Sequence, residues 1–252
     1  LFPYTTLFRS SPSSQGNTAR LFALSREDGR ELWSKEYPWV SNIRAARFWK
    51  DRFYIFVKVS EGGERYSVSM YCIDPVTGEM TWSFTPPPPY AVHYHSHHTM
   101  DFDDTGVYFG ATNARVYKMD LATGKQIWEA KSQRLSTTGQ VDAAFSTVVV
   151  RDGYVYTHAS DNYAYCFDAD TGKGHWLSGL PPAVLADPKT KLEDKQETYF
   201  VPDPVAIGSG IFAPQLNYAG QRSVFGFDLM RGEIKWEFRK GLIHFPTMFV
   251  HE

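Results

Sequence analysis

The sequence predicts an all-β fold, a β-propeller built of four-stranded antiparallel blades, and three observations predict it. One phrase occurs five times, most clearly as Cys166-Phe167-Asp168-Ala169-Asp170-Thr171-Gly172-Lys173-Gly174-His175-Trp176. It reads as a residue that is usually small, an Asp two places on, a Thr-Gly pair, and a Trp four residues after the Gly. The Trp of the phrase returns at Trp33, Trp82, Trp128, Trp176 and Trp236, in steps of 49, 46, 48 and 60 residues. A repeat of about 40 to 50 residues marks a stacked-unit architecture. The run before the Asp alternates small and aromatic: Ala164, Cys166 and Asp168 fall on one face, Tyr163, Tyr165 and Phe167 on the other. A sheet of this kind hides both faces, so each unit needs a neighbour on either side.

Each element follows from local pattern. Leu1–Ser10, LFPYTTLFRS, back-translates to CTC TTT CCC TAC ACG ACG CTC TTC CGA TCT, the pattern of a sequencing-library adapter, and is set aside. The propeller is read over residues 11–252. Ser11–Asn17 is a polar loop in a broken first blade. Ala19–Ser25 and Glu31–Lys35 are that blade's last two strands, with Ala23, Ser25, Asp28, Gly29 and Trp33 as a degenerate copy of the phrase.

The second blade has strands in Asn42–Ser60, parted near Asp51-Arg52, then Arg65–Cys72 and Met80–Thr85, with Asp74, Gly78 and Trp82 in the phrase. Pro86–Pro89 is a stiff extended linker. The third blade, His98–Ala130, carries Lys118 in the small position, then Asp120, Gly124 and Trp128. The fourth, Asp142–Leu177, shows all four runs: Ser146–Val150, Tyr154–His158, Tyr163–Phe167 and one starting at His175. Pro181–Glu197 is a surface insertion that lengthens the last step between Trps. The fifth, Thr198–Phe238, turns first at Gly208–Gly210 and ends on Asp228, Gly232 and Trp236. His244–Val250 looks like the start of a sixth. The expectation is an incomplete propeller, about four whole blades and parts of two more.

In the phrase itself the Asp can accept backbone N–H groups across a turn, and the Gly can take the positive φ that closes it. Catalytic groups do not recur in every blade. Asp74, Asp120, Asp168 and Asp228, with their glycines and tryptophans, therefore read as structural.

The pattern small-x-Asp-x-x-Thr-Gly-x-x-x-Trp resembles the tryptophan-docking motif of pyrroloquinoline-quinone-type (PQQ-like) β-propellers, over Ala19–Glu252. The resemblance implies that the Trp of one blade packs on the next blade near its motif Gly. It implies a ring of about seven or eight blades, of which this chain would be an internal fragment. It also implies work outside the cytoplasm, periplasmic or secreted. It leaves two functions open, because the same blades serve quinone-dependent dehydrogenases and non-catalytic scaffolds.

The net charge is −2, and Lys and Arg are scattered, so no basic stripe suited to nucleic acid exists. No run reaches the apolar length of a transmembrane helix. Cys72 and Cys166 hold the same place two blades apart, too far for a disulfide, and are expected as free buried thiols.

Four candidate chemistries stand out. His93, His95, His97 and His98 crowd into six residues, and imidazoles suit Zn, Cu, Fe or Ni. In an extended segment His93, His95 and His97 share a side, with Asp142 and His244 as outside partners for a metal. The plain alternative is a His-rich polar loop, since no known zinc spacing is present. Second, a quinoprotein would hold PQQ and Ca2+ on the axis. Asp101, Asp142 and Asp203 lie near inner strands, but they form no evident oxygen-rich site, and no adjacent Cys pair exists. Third, Trp39 could line a face near Ser41 and Arg44, while Trp49 belongs to the core. Fourth, Ser209 between Gly208 and Gly210 lacks the spacing of a nucleophile elbow and reads as a turn.

The function expected first is a scaffold that offers a propeller face to a protein partner or small ligand, with no catalytic residue assigned. The alternatives are a PQQ- and calcium-dependent dehydrogenase fragment and a metal site at the His cluster.

Overall fold

The computed structural model describes residues 4–10, 18–38, 40–60, 66–88, 99–132, 145–159, 163–179, 199–200, 206–208, 210–213, 215–218 and 221–239. Every regular element among them is a strand. The first sheet is β1 (Tyr4–Ser10), β2 (Thr18–Ser25) and β3 (Glu31–Pro38), antiparallel in that order. β1 is the adapter-like segment, paired from Tyr4↔Ser25 to Ser10↔Ala19. Backbone pairing is indifferent to side-chain identity, so any extended segment can occupy an open strand edge.

Three four-stranded meanders follow. The second sheet is β4 (Val40–Trp49), β5 (Arg52–Ser60), β6 (Tyr66–Ile73) and β7 (Met80–Phe84). The third is β8 (Met100–Phe102), β9 (Val107–Gly110), β10 (Arg115–Met119) and β11 (Gln126–Lys131). The fourth is β12 (Phe145–Arg151), β13 (Tyr154–Ala159), β14 (Tyr163–Asp168) and β15 (Gly174–Gly179).

Among the described residues the fifth sheet comprises six strand segments: β16 (Tyr199–Phe200), β17 (Ala206–Gly208), β18 (Ile211–Ala213), β19 (Gln215–Tyr218), β20 (Gln221–Asp228) and β21 (Ile234–Arg239). β18 and β19 lie along one edge of β20 in a single register, Ile211↔Asp228 and Gln215↔Val224.

The core lies between sheets, one cluster per seam. Leu21, Phe53, Ile55 and Ile73 join the first sheet to the second. Tyr54, Cys72, Phe102, Phe109 and Tyr117 join the second to the third. Tyr108, Phe145, Tyr165 and Phe167 join the third to the fourth. Tyr156, Ala164, Cys166, Phe225 and Phe227 join the fourth to the fifth. The expected two-faced strand is therefore present in β14. Its small residues meet the phenylalanines of β20, and its aromatic residues meet the third sheet. Burial of one such aromatic side chain contributes about 1.5–3 kcal/mol. Cys72 and Cys166 are free and buried, and burial pushes the Cys166 thiol up to about 12.

Candidate functional site

The motif turn is built the same way in four blades. The Asp carboxylate accepts the N–H of the second and third residues beyond it: Val76 and Thr77 onto Asp74, Ala122 and Thr123 onto Asp120, Asp170 and Thr171 onto Asp168, Met230 and Arg231 onto Asp228. The Gly N–H donates to the Asp carbonyl, as from Gly172 to Asp168 at 2.9 Å. In the first sheet the Ser25 hydroxyl takes the carboxylate's place and accepts from Glu27 and Asp28. Thr123 and Thr171 hydroxyls hold Asp120 and Asp168 below the usual carboxylate range, and the Arg231 N–H does the same for Asp228. The Oδ1 atoms are committed to their own turns, while Asp74 Oδ2 pairs with Arg52 and Asp228 Oδ2 with Lys235.

The turn Gly is where the previous blade arrives. Gly78, Gly124, Gly172 and Gly232 all have φ between +66 and +72, a conformation glycine adopts freely. A Cβ on Gly78 would lie 2.7 Å from the Trp33 ring, one on Gly172 2.7 Å from Trp128, and one on Gly232 2.6 Å from Trp176; Trp82 covers Gly124 in the same way. Each indole N–H then donates to the carbonyl of the residue after the motif Asp or its equivalent. Trp33 reaches Pro75 at 3.0 Å, Trp82 reaches Leu121 at 3.1 Å, Trp128 reaches Ala169 at 3.0 Å, and Trp176 reaches Leu229 at 2.8 Å.

Two features of this seam escape the repeat pattern alone. The small residue is the cross-strand partner of the Trp, as in Cys72↔Trp82, Lys118↔Trp128 and Cys166↔Trp176, with a bulge directly after it. On its other side stands a tyrosine: Tyr54↔Cys72, Tyr108↔Lys118, Tyr156↔Cys166. The Tyr54 hydroxyl donates to the Leu121 carbonyl at 3.4 Å, beside the indole donor, whereas the Tyr108 hydroxyl donates to Asp103 Oδ2 at 2.6 Å and lies 3.2 Å from the Ala169 carbonyl. The signal was in the sequence, as a Tyr near the start of the second strand in the second, third and fourth sheets.

Lys118 departs from the small position. Its side chain is buried, its Nζ donates to the Ala169 carbonyl at 3.0 Å, and it lies 5.1 Å from the centre of the Tyr108 ring. Asp170 is 3.8 Å away and largely exposed. Two donors, Lys118 Nζ and the Trp128 indole N–H, thus converge on one carbonyl at this seam.

Between the second and third sheets the same face opens into a cleft of about 380 Å3, lined by Trp49, Lys50, Asp51, Arg52, Tyr54, Asp104, Thr105, Asp120, Leu121 and Ala122. Lys50 pairs with Asp104 at 3.3 Å, and Arg52 with Asp74 at 3.5 Å. Lys50 has φ 55, in the left-handed region that costs a side chain about 1–2 kcal/mol. Trp49 is only half-buried, stacked on Phe102 at 5.3 Å, so it is both a core ring and a cleft wall.

His93, His95, His97 and His98 lie outside the described residues, as do Asp142, Asp203, His244, Trp39 and Ser209. The linker that leads to the His stretch is held by Asn113, whose Nδ2 donates to the Pro87 carbonyl at 2.9 Å. Asp101, on β8, is described. Its Oδ2 accepts the Val150 N–H of β12 at 2.7 Å, and burial raises its pKa. It serves as a strap between inner strands, and the described residues do not fit a calcium or quinone site around it. Among the described residues no group of three His, Cys, Asp or Glu side chains could hold a metal ion. His158, which the sequence did not single out, is buried on β13, and burial pushes its imidazole down to about 3.

The family model described as outer membrane protein assembly factor BamB, a PQQ-like repeat model, matches residues 13–238. The chain belongs to this PQQ-like repeat family. Solved structures share the fold of the family. BamB from Moraxella catarrhalis is 18% identical, with a TM-score of 0.63 over 93% of this chain and 64% of that one. A europium-containing methanol dehydrogenase is 13% identical, with a TM-score of 0.58 over 95% of this chain and 50% of that one. A quinohemoprotein alcohol dehydrogenase from Comamonas testosteroni is 13% identical, with a TM-score of 0.58 over 88% of this chain and 51% of that one. The chain thus spans less than two thirds of the length of each. A search of curated proteins finds no match. No described helix is long and apolar enough to cross a membrane.

Proposed function

We propose that the chain is a binding scaffold, a PQQ-like repeat propeller that offers its turn-bearing face to a protein partner or ligand and performs no chemistry of its own. The observation that carries this reading is how the repeated polar groups are used. Each motif carboxylate gives its Oδ1 to its own turn, and each seam's indole N–H goes to the neighbouring blade. What repeats makes the frame rigid; what differs from blade to blade is the outward turn residues. The indole-on-glycine contacts are, on this reading, the docking contacts of the tryptophan motif. The cleft between the second and third blades is the contact surface we assign, with Trp49 and Leu121 as apolar anchors inside a rim of charges. The family description, an outer membrane assembly factor, supports an extracytoplasmic interaction role.

The alternative is a fragment of a PQQ- and calcium-dependent dehydrogenase, which the fold shared with two dehydrogenases favours. Titration of the chain with PQQ, with and without Ca2+, separates the two. The scaffold reading expects no saturable binding. Stoichiometric, calcium-dependent binding would overturn it in favour of the dehydrogenase. The weaker metal reading at His93, His95 and His97 predicts a loss of bound metal when all three become Ala; unchanged metal content and partner binding would remove it.

A further inference from the structure

At the third seam the chain fills a place that it leaves open at the second. Lys118 stands between Tyr108 and Trp128 in the sheet register. Its Nζ donates to the Ala169 carbonyl at 3.0 Å and lies 5.1 Å from the centre of the Tyr108 ring. A cation of the chain itself thus sits where the tyrosine meets the next blade's turn. At the second seam Tyr54 and Trp82 flank Cys72, and the Trp82 indole reaches Leu121 as that of Trp128 reaches Ala169. The short Cys72 side chain brings no cation there. The corresponding place, walled by Tyr54 and Leu121, belongs to the cleft of about 380 Å3. That volume is at the low end of ligand pockets, about 300–1,000 Å3, a size that suits one side chain rather than a helix.

The fourth seam, which also carries a Cys at this point, is covered differently. The His175 ring bonds the Met230 carbonyl at 3.1 Å and packs 4.7 Å from Tyr154. At the second seam Thr81 takes the place of His175, and its hydroxyl turns inward to the Cys72 carbonyl at 3.0 Å. Arg52 takes the place of Tyr154 and turns to Asp74.

The charge of the cleft is unbalanced. Lys50 pairs with Asp104 at 3.3 Å and Arg52 with Asp74 at 3.5 Å, so both lining cations are answered. Two lining carboxylates are left over. Asp51 is exposed and makes no hydrogen bond or ion pair among the described residues. Asp120 gives Oδ1 to Ala122 and Thr123, and its Oδ2 has no partner among the described residues. Lys125, on the same turn, does not line the cleft. A backbone donor stands beside them. Ala169 and Leu229, the counterparts of Leu121, donate their N–H to Gly153 and Gly210 at 2.9 Å, and the Leu121 N–H makes no such bond.

We infer that this cleft receives an arginine side chain of a protein partner, with its guanidinium against the Trp49 ring and answered by Asp51 and Asp120. The inference rests on the scaffold reading above and names the kind of partner. Arginine fits better than lysine because a planar guanidinium meets two carboxylates at once, is less strongly hydrated and stacks on aromatic rings. Trp49 is held by its stack on Phe102, so that wall is formed before the partner arrives. The Leu121 N–H suits a peptide carbonyl, which favours an arginine within a chain over a free cation.

Titration calorimetry of the whole chain with a blocked glycine-arginine-glycine tripeptide tests the inference, beside the same peptide carrying lysine or uncharged citrulline. The arginine peptide should bind one to one. The citrulline peptide should bind about tenfold weaker or more, for loss of the charged hydrogen bonds, with lysine in between. Two variants, matched to the parent by circular dichroism and melting, locate the site. Asp51→Asn removes a charge that no bond of the fold uses and should weaken the arginine peptide about tenfold. Cys72→Lys supplies the chain's own cation, as Lys118 does one seam on, and should abolish binding; should it fail to fold, Asp51→Asn decides alone. Absence of saturable binding by the arginine peptide overturns the inference. So does citrulline or lysine that binds as tightly as arginine, or Asp51→Asn that binds like the parent. The scaffold reading fails on a different result, calcium-dependent PQQ binding, so the two failures are told apart.

Discussion

The indole of Trp128 lies on Gly172, and its N–H donates to the carbonyl of Ala169, 3.0 Å away, within the turn that Gly172 closes. One side chain therefore reads both halves of the next blade's phrase, the residue after the Asp and the Gly. This explains why the Asp, Gly and Trp recur together. The Asp shapes the turn, the Gly leaves room on it, and the Trp of the preceding blade fills that room.

Gly172→Ala should cost more than Gly153→Ala although both glycines have positive φ, +70 and +78. Both substitutions carry about 1–2 kcal/mol of left-handed strain. Only Gly172 is covered by a ring, so overpacking adds about 1–3 kcal/mol there. Urea unfolding of the two variants checks this; equal losses would mean that the Trp128 ring is not seated on Gly172.

Stability should fall in acid in a way the motif carboxylates control. Asp120, Asp168 and Asp228 are held below their ordinary value, near 4, so their contribution is present above that pH. It is lost as pH falls through their lower folded values. Because these groups face solvent, each effect is small. A triple Asp120→Asn, Asp168→Asn, Asp228→Asn variant keeps an acceptor oxygen and should lose less stability than the parent between pH 5 and pH 2, values on the order of the carboxylate range. An unchanged acid profile would contradict the assignment.

Lys118 should behave as a packed stem with a bonded tip. Lys118→Ala leaves a cavity and removes a bond to Ala169, and should cost about 2–4 kcal/mol. Lys118→Met keeps most of the volume and should stay within about 1.5 kcal/mol of the parent. Asp170→Ala should change little, because that ion pair is long and exposed. Thermal melts of the three variants test the order.

Much of the fold was legible in the sequence because the phrase places a turn, an apolar strand and a ring in each repeat. The strand runs read from Ser146 to Leu177 match β12 to β15 closely. The long-range pairings were not legible. That Lys118 and Trp128 converge on one carbonyl about 40 to 50 residues ahead is a property of stacking, which no local pattern encodes. Asp101 illustrates the same limit. An acidic residue on an inner strand suits a cofactor in sequence, and only the neighbouring β12 N–H reveals it as a strap.

The most direct test of the account compares two tryptophans from the same phrase. Trp128 is covered by the next blade, whereas Trp236 is 43% exposed. In urea unfolding at a concentration where the chain is monomeric, Trp128→Ala should cost about 3–5 kcal/mol and Trp236→Ala less than about 1 kcal/mol. Equal costs, or a loss below about 1 kcal/mol at Trp128, would contradict the claim that each blade is held by its indole on the following glycine.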